Sequence, residues 1–141
     1  MALLNDSVRA DVRKRLKELK DPVKIINFTQ EIECQFCADT RRLMEEIAGL
    51  ADKLSLEVYN FVTDKEQAKK YGVDKIPATV IAGDKDYGIR FYGIPSGYEF
   101  GGVIESILMV SKKESGLAAA TKKKLAGLKH PLHLEVFVTP T

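Results

Sequence analysis

The chain has no tryptophan, only two cysteines, and only six asparagines and glutamines among 141 residues. No apolar run approaches the roughly 20 residues of a membrane-spanning helix, which argues against a membrane protein. The first residues, Met1-Ala2-Leu3-Leu4-Asn5-Asp6, lack the basic-then-apolar layout of a secretory signal, so a cytoplasmic location is expected. A net charge of only +2 argues against nucleic acid as the main partner. A chain of this length can bury a core without disulfide staples.

Charge is abundant where amides are scarce. Asp, Glu, Lys and Arg make up 30% of residues. Such charge-rich, amide-poor composition leans toward thermophiles, in which intracellular disulfides persist.

Hydrophobic periodicity sets the expected elements. Residues 6–20 read as an amphipathic helix with Leu4, Val8, Val12, Leu16 and Leu19 on one stripe. Asn5 or Asp6 can cap it, and Asp21-Pro22 stops it. Val23 to Thr29 is too continuously apolar for a half-exposed strand and belongs in the middle of a sheet. A helix from about Gln35 to Ala51 buries Met44, Ile47, Leu50 and Ala51. Leu54 to Phe61 is a second strand, parallel to the first. Asp64 opens a short helix, Lys65 to Tyr71, with Gln67 at the reciprocal capping position, and Gly72 closes it. Strands follow at Ala78 to Ala82 and Ile89 to Tyr92, paired as an antiparallel hairpin. A last helix, about Tyr98 to Lys112, buries Phe100, Ile104, Ile107 and Leu108. The order is β-α-β-α-β-β-α behind an extra N-terminal helix: an α/β fold with a four-stranded mixed sheet and helices on both faces.

The two cysteines stand three apart, in Cys34-Gln35-Phe36-Cys37, where the first strand passes into its helix. A pair at such a junction is a redox signature more often than a structural one. The attacking species in disulfide exchange is a thiolate, and the free N–H groups and dipole of a helix start favour it. Cys34 is therefore the expected nucleophile and the more buried Cys37 the resolving thiol. Gln35 leaves its N–H free beside the thiolate, and Phe36 completes the short loop between the sulfurs. Glu31 and Glu33 oppose the helix by raising the Cys34 pKa, which points to a reducing or intermediate site. A zinc site would need two more ligands, and His130 with His133, far along the chain, is the one candidate pair. An inert disulfide would gain little from closing so short a loop. Pro77 opens the third strand, where a cis proline and an ordinary trans proline both fit the sequence.

The tail carries an echo of the beginning. Residues 122–137 laid over residues 13–28 give six identities in sixteen positions. Among them Pro131 falls on Pro22 and Phe137 on Phe28. The expectation is one complete unit over 1–113, followed over 114–141 by the first helix and strand (Leu132 to Val138) of a truncated second unit. That strand would lack its own sheet and either pack as a stray strand or exchange between chains as a homodimer.

Together these residues resemble the thioredoxin superfamily. Cys34-Gln35-Phe36-Cys37 matches its CxxC, and Val73-Asp74-Lys75-Ile76-Pro77 matches the passage that ends in its cis-proline. The leading helix, the corner Tyr92-Gly93-Ile94-Pro95-Ser96-Gly97-Tyr98 and the start of a second unit are similar to the glutaredoxin-like protein disulfide oxidoreductases of hyperthermophiles. The resemblance implies a thioredoxin fold and dithiol–disulfide exchange on protein substrates, with no cofactor and a separate recycling reductase. It assigns Cys34 as nucleophile, Cys37 as resolver and Pro77 as cis-proline, with the Ile76 backbone offered to a substrate strand. Two other functions fit the same residues: an electron donor to one partner such as a peroxidase, and a non-catalytic interaction module. Departures are that the second CxxC is missing, that Asn27 stands nearest the place of the proton-relaying acid of thioredoxins, and that Gly101-Gly102-Val103-Ile104 lacks the acid of a glutathione site.

Overall fold

The computed structural model describes residues 3–139. A helix α1 (Asp6–Leu16) precedes the elements β1 (Val23–Thr29), α2 (Cys37–Ala48), β2 (Leu54–Asn60), α3 (Lys65–Lys70), β3 (Ala78–Ala82), β4 (Asp86–Tyr92) and α4 (Tyr98–Lys112). A further helix, α5 (Ala119–Ala126), follows. The strands form one sheet in the order β2-β1-β3-β4. β1 runs parallel to β2 and antiparallel to β3, and β3 pairs antiparallel with β4.

β1 is flanked on both sides and covered on both faces, which is why its run of apolar residues is unbroken. Val23 and Ile25 face a core shared with Val12 and Leu16 of α1, Met44 and Ile47 of α2, and Ile104 and Ile107 of α4. Ile26 and Phe28 face the opposite way, toward Ala68 of α3, Val73 and Val80. The Phe28 ring lies 5.6 Å from that of Tyr59 and 6.1 Å from that of Tyr71, centre to centre. Among the described residues no helix is long and apolar enough to cross a membrane.

Several boundaries differ from the expected ones for local reasons. Asn5 caps α1 by accepting from the Val8 N–H at 2.9 Å, but the helix ends at Leu16 rather than at residue 20. Beyond it the backbone turns to tertiary partners. Lys53 Nζ donates to the carbonyls of Leu19 and Lys20, and Ser111 Oγ accepts from the N–H groups of Lys20 and Asp21. The expected capping box at α3 does not form. Asp64 Oδ2 accepts instead from the Asn60 N–H at 2.7 Å, and Gln67 Oε1 is left buried without a partner. Gly72 does close this helix, in the left-handed conformation (φ 63°) that a glycine adopts without steric penalty. Ala51 and Phe100 are only partly buried beside the core. β4 begins at Asp86, three residues before the expected Ile89, with an irregular register at Ile81/Ala82.

The tail departs most. α5 forms where the second unit's helix was expected, yet none of its residues is buried. Residues 131–139 form neither helix nor strand, so the strand expected at Leu132 to Val138 is absent. A strand exists only when another chain segment accepts its backbone hydrogen bonds, and none pairs with this one among the described residues. It therefore does not pack as a stray strand on this sheet. The positions immediately before the expected second cysteine pair, 140 and 141, lie outside the described residues.

Candidate active site

β1 carries the chain to one end of the sheet, and residues 30–36 turn it back into α2. The turn includes a left-handed backbone at Glu33 (φ 58°). Cys34 follows, half-buried, and is joined by a disulfide to the wholly buried Cys37, with 5.4 Å between their Cα atoms. The helix begins at Cys37, with Phe36 as its cap, and not at Gln35 as expected. Cys34 therefore stands just outside the first turn. The difference follows from the Phe36 carbonyl, which starts the helical ladder by accepting from the Thr40 N–H at 2.9 Å and the Thr40 hydroxyl at 2.7 Å. The N–H groups of the first turn, which have no acceptor within the helix, still open beside the disulfide.

Pro77 reaches the same end of the sheet. Ala78 pairs with Phe28, next to the last residue of β1, so Pro77 abuts the strand end from which the cysteine loop departs. The Ile76-Pro77 peptide bond is cis. The Pro77 carbonyl accepts from Gly93 N–H at 2.9 Å, which ties the corner after β4 to the same place. Ile76 is half-buried, with its side chain against the Phe28 face of the core.

Of the residues expected to tune the pair, Glu31 borders two neighbouring hollows, only one of which contains Cys34. Glu31 lines a cleft of about 660 Å³ together with Cys34. Glu33 lines a neighbouring hollow with Ile32 and Val62, and Cys34 is not part of it. Gln35 and Phe36 are both exposed. His130 and His133 sit in the exposed tail, where the His133 ring lies 2.7 Å from Glu135 Oε1.

Two residues of the Cys34 cleft escape a reading of the sequence, Arg41 and Arg42. Arg41 Nε donates to Glu45 at 2.8 Å, and Arg42 lies 3.9 Å from Asp39. Their spacing from Cys37, one turn along the helix, is the available signal. Nothing in periodicity says that the flank they occupy faces a cleft.

A thioredoxin-domain profile matches residues 22–105, more than half of the chain. The chain belongs to the thioredoxin domain family. Its thioredoxin fold carries one addition in front, the helix α1. Over 75 residues it is 33% identical to the thioredoxin of Methanocaldococcus jannaschii, covering 52% of this chain and 82% of that one. It is 24% identical over 137 residues to an alkyl hydroperoxide reductase chain of Pseudomonas aeruginosa, covering 96% of this chain and 24% of that protein. A solved protein disulfide oxidoreductase from Aeropyrum pernix superposes with a TM-score of 0.80 at 31% identity, covering 92% of this chain and 57% of that one. The chain thus spans about a quarter of the hydroperoxide reductase chain and somewhat over half of the oxidoreductase.

Proposed function

We propose that this thioredoxin-fold unit is an enzyme of thiol–disulfide exchange acting on protein disulfides. The observation that carries the reading is the disulfide itself. Its two sulfurs differ in access, Cys34 facing a cleft and Cys37 wholly buried, at the strand end where Pro77 also arrives. In the reducing direction the Cys34 thiolate attacks one sulfur of a substrate disulfide and the other sulfur leaves as a thiolate. Cys37 then loses its proton and attacks Cys34 in the mixed disulfide. That step restores the Cys34–Cys37 bond and releases the second substrate sulfur, so two electrons pass to the substrate. An extended substrate segment lies along the Ile76-Pro77 backbone. A separate dithiol reductase returns the pair to the reduced form. Glu31, Glu33, Gln35 and Phe36 surround the pair at the surface, and a cytoplasmic setting suits this chemistry.

The similarity to an alkyl hydroperoxide reductase favours a second reading, delivery of electrons to one peroxidase partner. Insulin reduction under a dithiol, with and without a peroxidase as competing acceptor, separates the two. The first reading expects turnover of insulin that Cys34→Ser reduces to background, about 100-fold or more. It also expects Cys37→Ser to accumulate a mixed disulfide at Cys34. A wild-type chain that turns over neither insulin nor a peroxidase would leave only a non-catalytic binding module, and insulin turnover that survives Cys34→Ser would refute the first reading.

The similarity to the longer oxidoreductase also supports residues 114–141 as the beginning of a second unit, because its 92% coverage extends beyond residues 22–105. The exposed apolar side chains of that segment, Leu134, Val136, Phe137 and Val138, are the proposed contact for a homodimer.

A further inference from the structure

The sheet has two outer strands, β2 and β4, each paired on one side only. Their flanks differ in chemistry. The flank of β2 borders the Cys34 cleft, where Arg41, Arg42, Glu45 and Asp64 surround Val58. The flank of β4 borders a hollow of about 450 Å³ walled by Tyr87, Ile89, Met109 and Val110. Tyr87 and Met109 are exposed there, and Ile89 and Phe91 are only partly buried against the core under α4. An apolar edge strand with no second neighbour is a template for another strand.

The tail has the shape of that strand. β4 is seven residues long, and Leu132 to Val138 matches it in length. Leu132, Leu134, Val136 and Val138 alternate with His133, Glu135 and Phe137, which in an extended chain makes one face wholly apolar. Those four side chains are 66–85% exposed. β4 alternates in the same way, with Tyr87, Ile89 and Phe91 toward α4 and Arg90 toward the opposite face with Val80. Laying Glu135 beside Arg90 sets Leu134 and Val136 beside Ile89 and Phe91, whichever way the strand runs. A slip by one residue would put His133 and Glu135 on the apolar side, so the pattern selects the register.

The same chain does not supply this strand. Lys122 of α5 borders the hollow and pairs with Glu114, so the tail departs from this spot. α5 then carries it about 12 Å onward. Residues 131–139 make no pairing with β4. A second copy related by a two-fold axis brings one tail and offers one edge, so a single exchange covers both.

We propose that Leu132 to Val138 of one copy adds as a fifth strand to the β4 edge of a second copy, and reciprocally. The proposal rests on the homodimer reading and supplies the surface that receives the tail. Cys34 opens on the β2 flank, so both active sites stay free in the exchanged pair.

The test is sedimentation velocity of the full chain over a concentration series, joined to hydrogen exchange of the two outer strands. Dimer should form as concentration rises, with the amides of β4 exchanging about tenfold or more slowly in the dimer and those of β2 unchanged. Val136→Pro removes a donor from the middle of the added strand and lies in a segment that joins neither core. It should abolish both the dimer and the protection of β4. Met109→Glu, which leaves the tail intact, should weaken the dimer about tenfold or more by placing a charge in the apolar hollow. A dimer in which β4 exchanges as fast as in the monomer overturns the proposal and leaves the homodimer reading standing. A chain that stays monomeric overturns both. Protection of β4 that is equal at every concentration and lost in Val136→Pro assigns the strand to the chain's own tail and overturns the exchange.

Discussion

Glu46 is a single carboxylate that fastens the leading helix to the thioredoxin unit. It accepts from the N–H groups of Leu3 at 2.6 Å and Leu4 at 3.1 Å, and from the Arg9 guanidinium at 2.5 Å. Burial alone pushes its pKa up, but these donors together outweigh burial and bring it below the usual carboxylate range. A lowered folded-state pKa means that the stability it contributes is present above the unfolded-state value and is lost as pH falls through the folded-state value. Glu46→Gln should therefore cost about 1–2 kcal/mol at neutral pH, and the gap to wild type should close in acid. Urea melts across that range check the sign, and a gap that widened in acid would refute it. Asn27, wholly buried on β1, is different in kind. Its identity is plain in the sequence, but that its Nδ2 donates to the Ala78 carbonyl and its Oδ1 has no partner among the described residues depends on Ala78 lying close across the sheet.

At the scale of elements, the joints decide more than the elements do. Ser111, near the end of α4, is almost fully buried. Its Oγ accepts from the N–H groups of Lys20 at 2.9 Å and Asp21 at 3.0 Å and donates to the Asp21 carbonyl at 2.7 Å. The passage from α1 into β1 is thus bonded to a helix some 90 residues away. Ser111→Ala removes all three side-chain bonds, although the Asp21 N–H keeps the Ser111 backbone carbonyl at 3.3 Å, for an expected loss of about 1–2 kcal/mol in a denaturant melt. This contact also explains why α1 is shorter than its amphipathic pattern. The stripe continues to Leu19, which is buried, but its backbone carbonyl is taken by Lys53. Periodicity reports which side chains go inside and is silent about which long-range donor captures a given carbonyl.

At the scale of the molecule, the chain divides at Lys113, whose left-handed backbone (φ 54°) closes α4. Before it, two cores sandwich the sheet. After it, none of the described residues is buried, and Phe137 is 89% exposed among the equally bare Leu134, Val136 and Val138. An apolar run of this kind in water favours association. The full chain should therefore self-associate with rising concentration in sedimentation velocity. Removal of residues 119–139 should abolish that while shifting the melting temperature by no more than about 2 °C, because the deleted part contributes nothing to either core. A large loss of melting temperature on truncation would show that the tail packs on the unit after all.

Local sequence was enough to establish the order of the elements, the central place of β1 and the junction that holds Cys34 and Cys37. Those follow from short-range patterns: a run of apolar residues too long for one face, an apolar stripe at helical spacing, a pair of thiols one turn apart. The remainder was settled by long-range packing. Pro77 fits cis and trans alike as a local residue, and the pairing of Ala78 with Phe28 brings it to the cysteine end of the sheet. The helix starts at Cys37 because the Phe36 carbonyl takes the Thr40 donors, which leaves Cys34 at the edge of a cleft with Arg41 and Arg42. The tail reads as a strand in isolation and is not one, because a strand is a property of two paired segments and its partner is not among the described residues.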